Sequence, residues 1–319
     1  MMSSYQKRSA VRWAAAGIAV FAAAVVISLS GCSTTINVPT NRHALVIGIA
    51  NYQNATDLTY TVNDAQDMQT TLLDTGWTDA AILTNSSATK AGIASAIQTL
   101  ASQAASDPDP ENSTILVYFS GHGDTESSVS YICPYDTSFI GSTPDVNSMI
   151  SVSELYKMLE QATCRNKLLI LDSCYSGGFI DTGSSIDVSP QDVISSGTND
   201  ASVLFSALAK ANILLAESCS AQADPSITTI SACGSEEESY DAEEYANGAF
   251  THYLLEAASK ADSSGKGYVT VSEAYSYTKK LLKFDWDTRP HKAGSSLYWE
   301  LLLPHISGGA GDLVLFVNQ

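Results

Sequence analysis

The stretch Ile115–Asp124 reads ILVYFSGHGD, and Leu168–Gly178 reads LLILDSCYSGG. Each opens with an apolar run of strand length and then breaks into glycine, serine and one chemically reactive side chain. Neither run alternates apolar with polar, so each predicts a strand covered on both faces, the signature of a parallel sheet between helix layers. Upstream, Ala44–Ile49 (ALVIGI) predicts a third such strand and Ala80–Leu83 a short fourth. Helical patterns fall between them, over Asn63–Leu73 with Asn63 in the capping position, over Ala91–Ala105 and over Val152–Ala162. Downstream come a further strand near Ile227–Ala232 and helices near Gly248–Ala258 and Ser272–Leu282. Alternating strands and helices imply an α/β fold, a mostly parallel sheet flanked by helices on both faces, joined by right-handed crossovers.

In such a sheet the strand carboxyl ends share one edge, where these folds build their sites. His122 and Cys174 both stand directly after an apolar strand, 52 residues apart, and are expected to meet there. A thiol becomes a nucleophile near neutral pH when an imidazole takes its proton. The glycines beside His122 allow close approach of a substrate, and the Gly123 N–H is a candidate oxyanion donor. Asp172, two residues before Cys174, projects toward the same side in an extended segment. A carboxylate raises a thiol pKa, so Asp172 suits reception of a substrate cation better than activation; a cap or turn role is its alternative. No Gly-x-Ser-x-Gly elbow supports a serine hydrolase, and neither G-x-G-x-x-G nor a Walker A sequence follows the first strand.

The N-terminus differs in kind. Lys7, Arg8 and Arg12 precede 17 uncharged residues, Trp13–Leu29, ending in Leu29-Ser30-Gly31-Cys32. That is a secretion signal over residues 1–31, with a retained membrane helix as the alternative. The ending resembles a bacterial lipobox, which makes Cys32 the lipidated first residue of the mature protein and 32–41 a tether to a folded domain over 42–319. The protein is then expected outside the cytoplasm, held to a bacterial membrane by its lipid. Without residues 1–31, three of 16 basic and none of 34 acidic residues are lost, leaving a net charge of −21. Nucleic acid is excluded as a partner by that charge, and a cationic substrate is favoured. Five further cysteines are an odd number and none forms a C-x-x-C pair, so one thiol at least stays unpaired and a zinc ribbon has no support.

Several stretches together resemble the caspase-like cysteine peptidases and, within them, metacaspases: HALVIGIANY from His43, VNDAQDM from Val62, VYFSGHGD ending at Asp124, YICPYD from Tyr131, LLILDSCYSGG ending at Gly178 and ISACGSEEES ending at Ser239. The resemblance runs from about Arg42 to Leu255 and implies a Cys174/His122 dyad, an oxyanion hole from the N–H groups of Gly123 and Cys174, and hydrolysis of peptide or protein substrates through an acyl-enzyme. Caspases carry Gln-Ala-Cys where this chain has Asp172-Ser173-Cys174, so cleavage after Asp is not implied. The metacaspase pattern instead implies an acidic S1 pocket from Asp172 and Glu236, the third residue after Cys233, and cleavage after Arg or Lys. It also implies self-cleavage in the linker after the catalytic strand; between Tyr175 and Tyr240 the one basic residue is Lys210, inside a helical pattern over Ala201–Glu217. No cofactor is required. Calcium is common in the family and stays open, although no ordered calcium loop is read from this sequence. A non-catalytic caspase-like surface module is the alternative function.

Overall fold

The computed structural model describes residues 39, 41–127, 129–141, 143–173, 226–233, 241–242, 244–288, 290–293, 296–298, 302–309 and 311–318. The chain divides after Asn37, and these residues belong to the second unit, Val38–Gln319. Its central sheet is built from β1 (Arg42–Gly48), β2 (Asp79–Thr84), β3 (Thr114–Ser120), β7 (Asn166–Asp172), β8 (Ile227–Ser231) and β9 (His305–Ser307). In space their order is β9-β8-β7-β3-β1-β2, with β9 antiparallel at its edge and the other five parallel. The α/β class expected from the sequence is therefore the observed one.

The unbroken apolar strands are explained by two cores. Ala44 and Val46 of β1 face one, which includes α1 (Thr61–Asp74), α4 (Ala249–Lys260) and α5 (Val271–Phe284). Leu45 and Ile47 face the other, which includes α2 (Lys90–Ala105) and α3 (Val152–Glu160). Successive residues thus leave water on opposite sides of the sheet.

Most helices start where a side chain can satisfy free N–H groups. Thr89 accepts from the Gly92 N–H before α2, and Ser151 with Glu154 forms a capping box before α3. The capping role expected of Asn63 is not observed. Helix α1 begins two residues earlier, at Thr61, and the Asn63 Nδ2 donates to the Ala246 carbonyl at 3.0 Å. Close packing explains the earlier start. An added Cβ on Gly48 would lie 2.3 Å from the Thr61 carbonyl oxygen, so the first turn of α1 presses directly on the end of β1. That contact carries the next residues of α1 over the carboxyl edge of the sheet.

After β3 the chain makes a small antiparallel sheet of β4 (Gly123–Glu126), β5 (Val129–Ile132) and β6 (Ile150–Ser151). Among the described residues no helix is long and apolar enough to cross a membrane.

Candidate active site

Ser120 and Asp172, the last residues of β3 and β7, are partners in register, and the Gly121 N–H donates to the Asp172 carbonyl at 3.2 Å. The strands therefore release their reactive segments side by side, as expected from the sequence. On the β3 side the chain continues into His122. On the β7 side it is described as far as Ser173; Cys174, with Cys32, Lys210 and Glu236, lies outside the described residues.

His122 is held from three directions. Its backbone N–H donates to the Tyr52 hydroxyl at 2.7 Å, its carbonyl accepts from the Cys133 N–H at 2.9 Å, and its ring lies 4.8 Å from the Tyr52 ring, tilted by 46°. The Nε2 atom sits 2.8 Å from the Thr56 carbonyl oxygen. A carbonyl only accepts, so Nε2 carries the proton, and in the neutral imidazole Nδ1 keeps the lone pair that a base needs. The segment presenting Tyr52 and Thr56 is itself pinned: the Tyr52 N–H donates to Asp57 Oδ1 at 3.0 Å, and the N–H groups of Ala50 and Asn51 both donate to Asn85 Oδ1 at 2.9 Å. The residue before His122 has to be glycine for a local reason, since a Cβ at Gly121 would meet the Tyr52 hydroxyl at 2.6 Å and the Phe119 ring at 2.8 Å. Gly123, on the other side, opens β4 opposite Ile132.

Beside this group two carboxylates are buried together. Asp172 is 4% exposed, and its Oδ2 accepts from the Thr251 hydroxyl at 2.6 Å and the Thr251 N–H at 3.3 Å. Asp64, brought over the sheet edge by α1, is 1% exposed; it accepts from the Gly248 N–H and the Ser120 hydroxyl, each at 2.8 Å. Gly248 lies between the two acids, because a Cβ there would fall 2.7 Å from Asp172 Oδ2 and 3.2 Å from Asp64 Oδ2. Burial, and after it the charge of Asp172, pushes the Asp64 carboxyl well above the usual carboxylate range. The groups pulling it back down, at Gly248, Ser120 and Asn247, are neutral donors.

Asp172 ends β7, and its bonds to Thr251 in the first turn of α4 also match the cap role that was its alternative; the sequence did not name Asp64 beside it. Asp64 sits in the quoted VNDAQDM stretch, and its signal was available: an aspartate on the buried face of a helix, at a position followed by buried Ala65 and Met68. Tyr52 and Thr56 left no such signal, since Thr56 acts through its backbone. Cys233, two residues after β8, is buried, and its thiol donates to the Ser173 carbonyl at 3.1 Å. Cys133, Cys164 and Cys233 form no disulfide. Among the described residues no group of three or more His, Cys, Asp or Glu side chains is arranged to hold a metal ion.

Comparison with known proteins decides the family. A caspase domain family model matches residues 41–296. The chain belongs to the caspase domain family. Membership makes it a cysteine peptidase acting on proteins or peptides in the general sense. The fold agrees, for caspase-1 from Spodoptera frugiperda superposes with a TM-score of 0.54 at 12% sequence identity, over 89% of this chain and 92% of that one. At that identity the superposition speaks for the fold alone. No curated protein matches the sequence. In this caspase domain the described residues of the candidate site are the imidazole with its tyrosine and carbonyl supports, and the buried acid pair lies at the neighbouring strand end.

Proposed function

We propose that this caspase domain is an endopeptidase of the metacaspase type that cleaves after Arg or Lys. The observation carrying the reading is the buried Asp64 and Asp172 pair at the strand ends beside His122. Two buried carboxylates that face a common point favour a positive charge beside them, and the guanidinium or ammonium of a substrate side chain supplies one. Asp64 joins Asp172 and Glu236 as an acidic candidate for that pocket.

In this reading His122 Nδ1 takes the Cys174 thiol proton, and the thiolate adds to the scissile carbonyl. The Gly123 and Cys174 N–H groups receive the oxyanion. The imidazolium returns its proton to the leaving amine, and a water activated by the same nitrogen hydrolyses the thioester. The Thr56 carbonyl keeps Nε2 protonated throughout, so a single nitrogen does the proton traffic.

A positional peptide profile of the purified protein tests specificity: strong preference for Arg or Lys at P1 is expected, and preference for Asp or large apolar residues would refute it. The same reading places the protein outside the cytoplasm on a lipidated Cys32, and a mature chain that keeps Met1 to Gly31 by mass would disprove that part. Self-cleavage is confined to the bond after Lys210 if the basic specificity holds; fragments that start elsewhere in the linker would contradict it.

A further inference from the structure

The connection between α4 and α5 has a pattern of its own. Asp262–Glu273 is twelve residues long, DSSGKGYVTVSE, and runs from just after the end of α4 into the first turn of α5. Calcium loops between two helices draw their ligands from positions 1, 3, 5, 7, 9 and 12, with glycine at 6 for the sharp turn and a bidentate Glu at 12. Here Asp262 stands at position 1, Ser264 at 3, Thr270 at 9 and Glu273 at 12, and Gly267 at 6 has φ +84°. Position 5, which in such loops is Asp or Asn, is Lys266.

Lys266 does what an ion would do. Its Nζ lies 2.7 and 2.8 Å from the two Glu273 oxygens, the two-oxygen grip that position 12 gives a bound cation. Asp262 accepts from the N–H groups of Lys266 at 3.0 Å and Gly267 at 2.8 Å, closing the turn around the same point. The ammonium also sits 4.4 Å from the centre of the Tyr268 ring. All three charges are favoured: the bond to Glu273 raises the Lys266 pKa, while in Glu273 and Asp262 the upward pull of lost water is outweighed by the Lys266 contact and by backbone N–H groups respectively.

We propose that this is a calcium-type loop whose cation seat is filled by the chain's own Lys266 ammonium. It closes with no metal ion, and replacing that ammonium with a metal ligand turns the loop into a divalent-cation site. A calcium ion entering the native loop would meet a positive charge already bound to its main carboxylate. The loop therefore does not fit the calcium that the family resemblance left open. Its position gives it reach, since α4 begins immediately after Gly248 and carries Thr251, the donors to the acid pair.

The test uses the purified protein and two probes, calcium followed by thermal unfolding and terbium followed by emission sensitised through Tyr268, whose ring would lie about as close to the ion as it now lies to Nζ. The quantity read is the part of each response that the additional change Glu273→Gln removes, which separates this loop from any other acidic site. That part should be zero in the native protein. In Lys266→Asp it should appear as a calcium-dependent rise in Tm of several degrees and as terbium emission. Lys266→Asn, which supplies a neutral oxygen ligand, should behave likewise with weaker affinity and covers the case in which Lys266→Asp does not fold. Lys266→Met should lower Tm and respond to neither ion. A Glu273-dependent response in the native protein, or none in both the Asp and Asn variants, would overturn the proposal.

Discussion

Replacing Asp64 by asparagine should make the protein more stable and a worse enzyme. The two acid oxygens lie within 2.7 and 3.2 Å of one point at Gly248, hence at most about 6 Å apart. At an effective dielectric of about 20, two like charges at that separation repel by about 3 kcal/mol. Asparagine keeps the shape. Its oxygen can still accept from the Gly248 N–H, and its amide can donate to the Ser120 hydroxyl, which rotates to accept. The folded state should therefore gain about 1–3 kcal/mol at pH 7, seen as a Tm several degrees higher. The pH dependence must change too. A raised folded pKa makes the native state bind more protons than the unfolded chain, so wild-type stability falls as pH rises from the unfolded value, about 3.9, through the folded value. Asp64→Asn should lose that component. Removing one carboxylate from a buried pair with a cationic substrate side chain costs about 3–5 kcal/mol, or about 10²- to 10⁴-fold in kcat/KM for peptides with Arg or Lys at P1. Thermal unfolding and peptide kinetics on one preparation decide it. A lower Tm would make Asp64 a structural anchor for Gly248, and unchanged kinetics on basic peptides would remove it from the pocket.

Tyr52→Phe leaves the His122 N–H without its acceptor at 2.7 Å and should cost about 1–3 kcal/mol of stability along with roughly tenfold in kcat/KM; equal activity would show that the Thr56 contact alone positions the ring. His122→Ala and Cys174→Ala should each abolish hydrolysis, with the double variant no worse than either single one, and residual activity in Cys174→Ala would end the dyad assignment. At the far end of β1, the His43 ring is 2.7 Å from Asp79 and 3.0 Å from Asp107, and the Ser113 hydroxyl also donates to Asp107. Burial, which works downward, is outweighed there by the two aspartates, so the His43 pKa is raised. Its stabilising contribution is complete below the unfolded value, about 6.5, and is lost as pH rises through the folded value. Denaturant midpoints for His43→Asn should accordingly change less than wild type across that window, and identical profiles would refute the assignment.

The sequence alone determined the sheet and its reactive edge, because both follow from local pattern. A strand apolar at every position, as in Ile115–Phe119, requires cover on two faces, and parallel strands bring their carboxyl ends together. From there His122 and Asp172 could be assigned to one edge without coordinates. The partners of those residues were not legible. Asp64 reaches Asp172 because Gly48 lets α1 lie on the end of β1, and Gly248 can sit between the acids because it lacks a side chain. Both are long-range steric facts with no trace in local periodicity. Thr56 holds His122 through a carbonyl that every residue type possesses, so its identity says nothing of its role. In Asp262–Glu273 the serine at position 3 and the lysine at position 5 hid the calcium-type register from a reading that looks for carboxylates. It took the folded loop to bring the Lys266 ammonium onto Glu273, since a charge seven residues away in sequence becomes a ligand only when the turn closes.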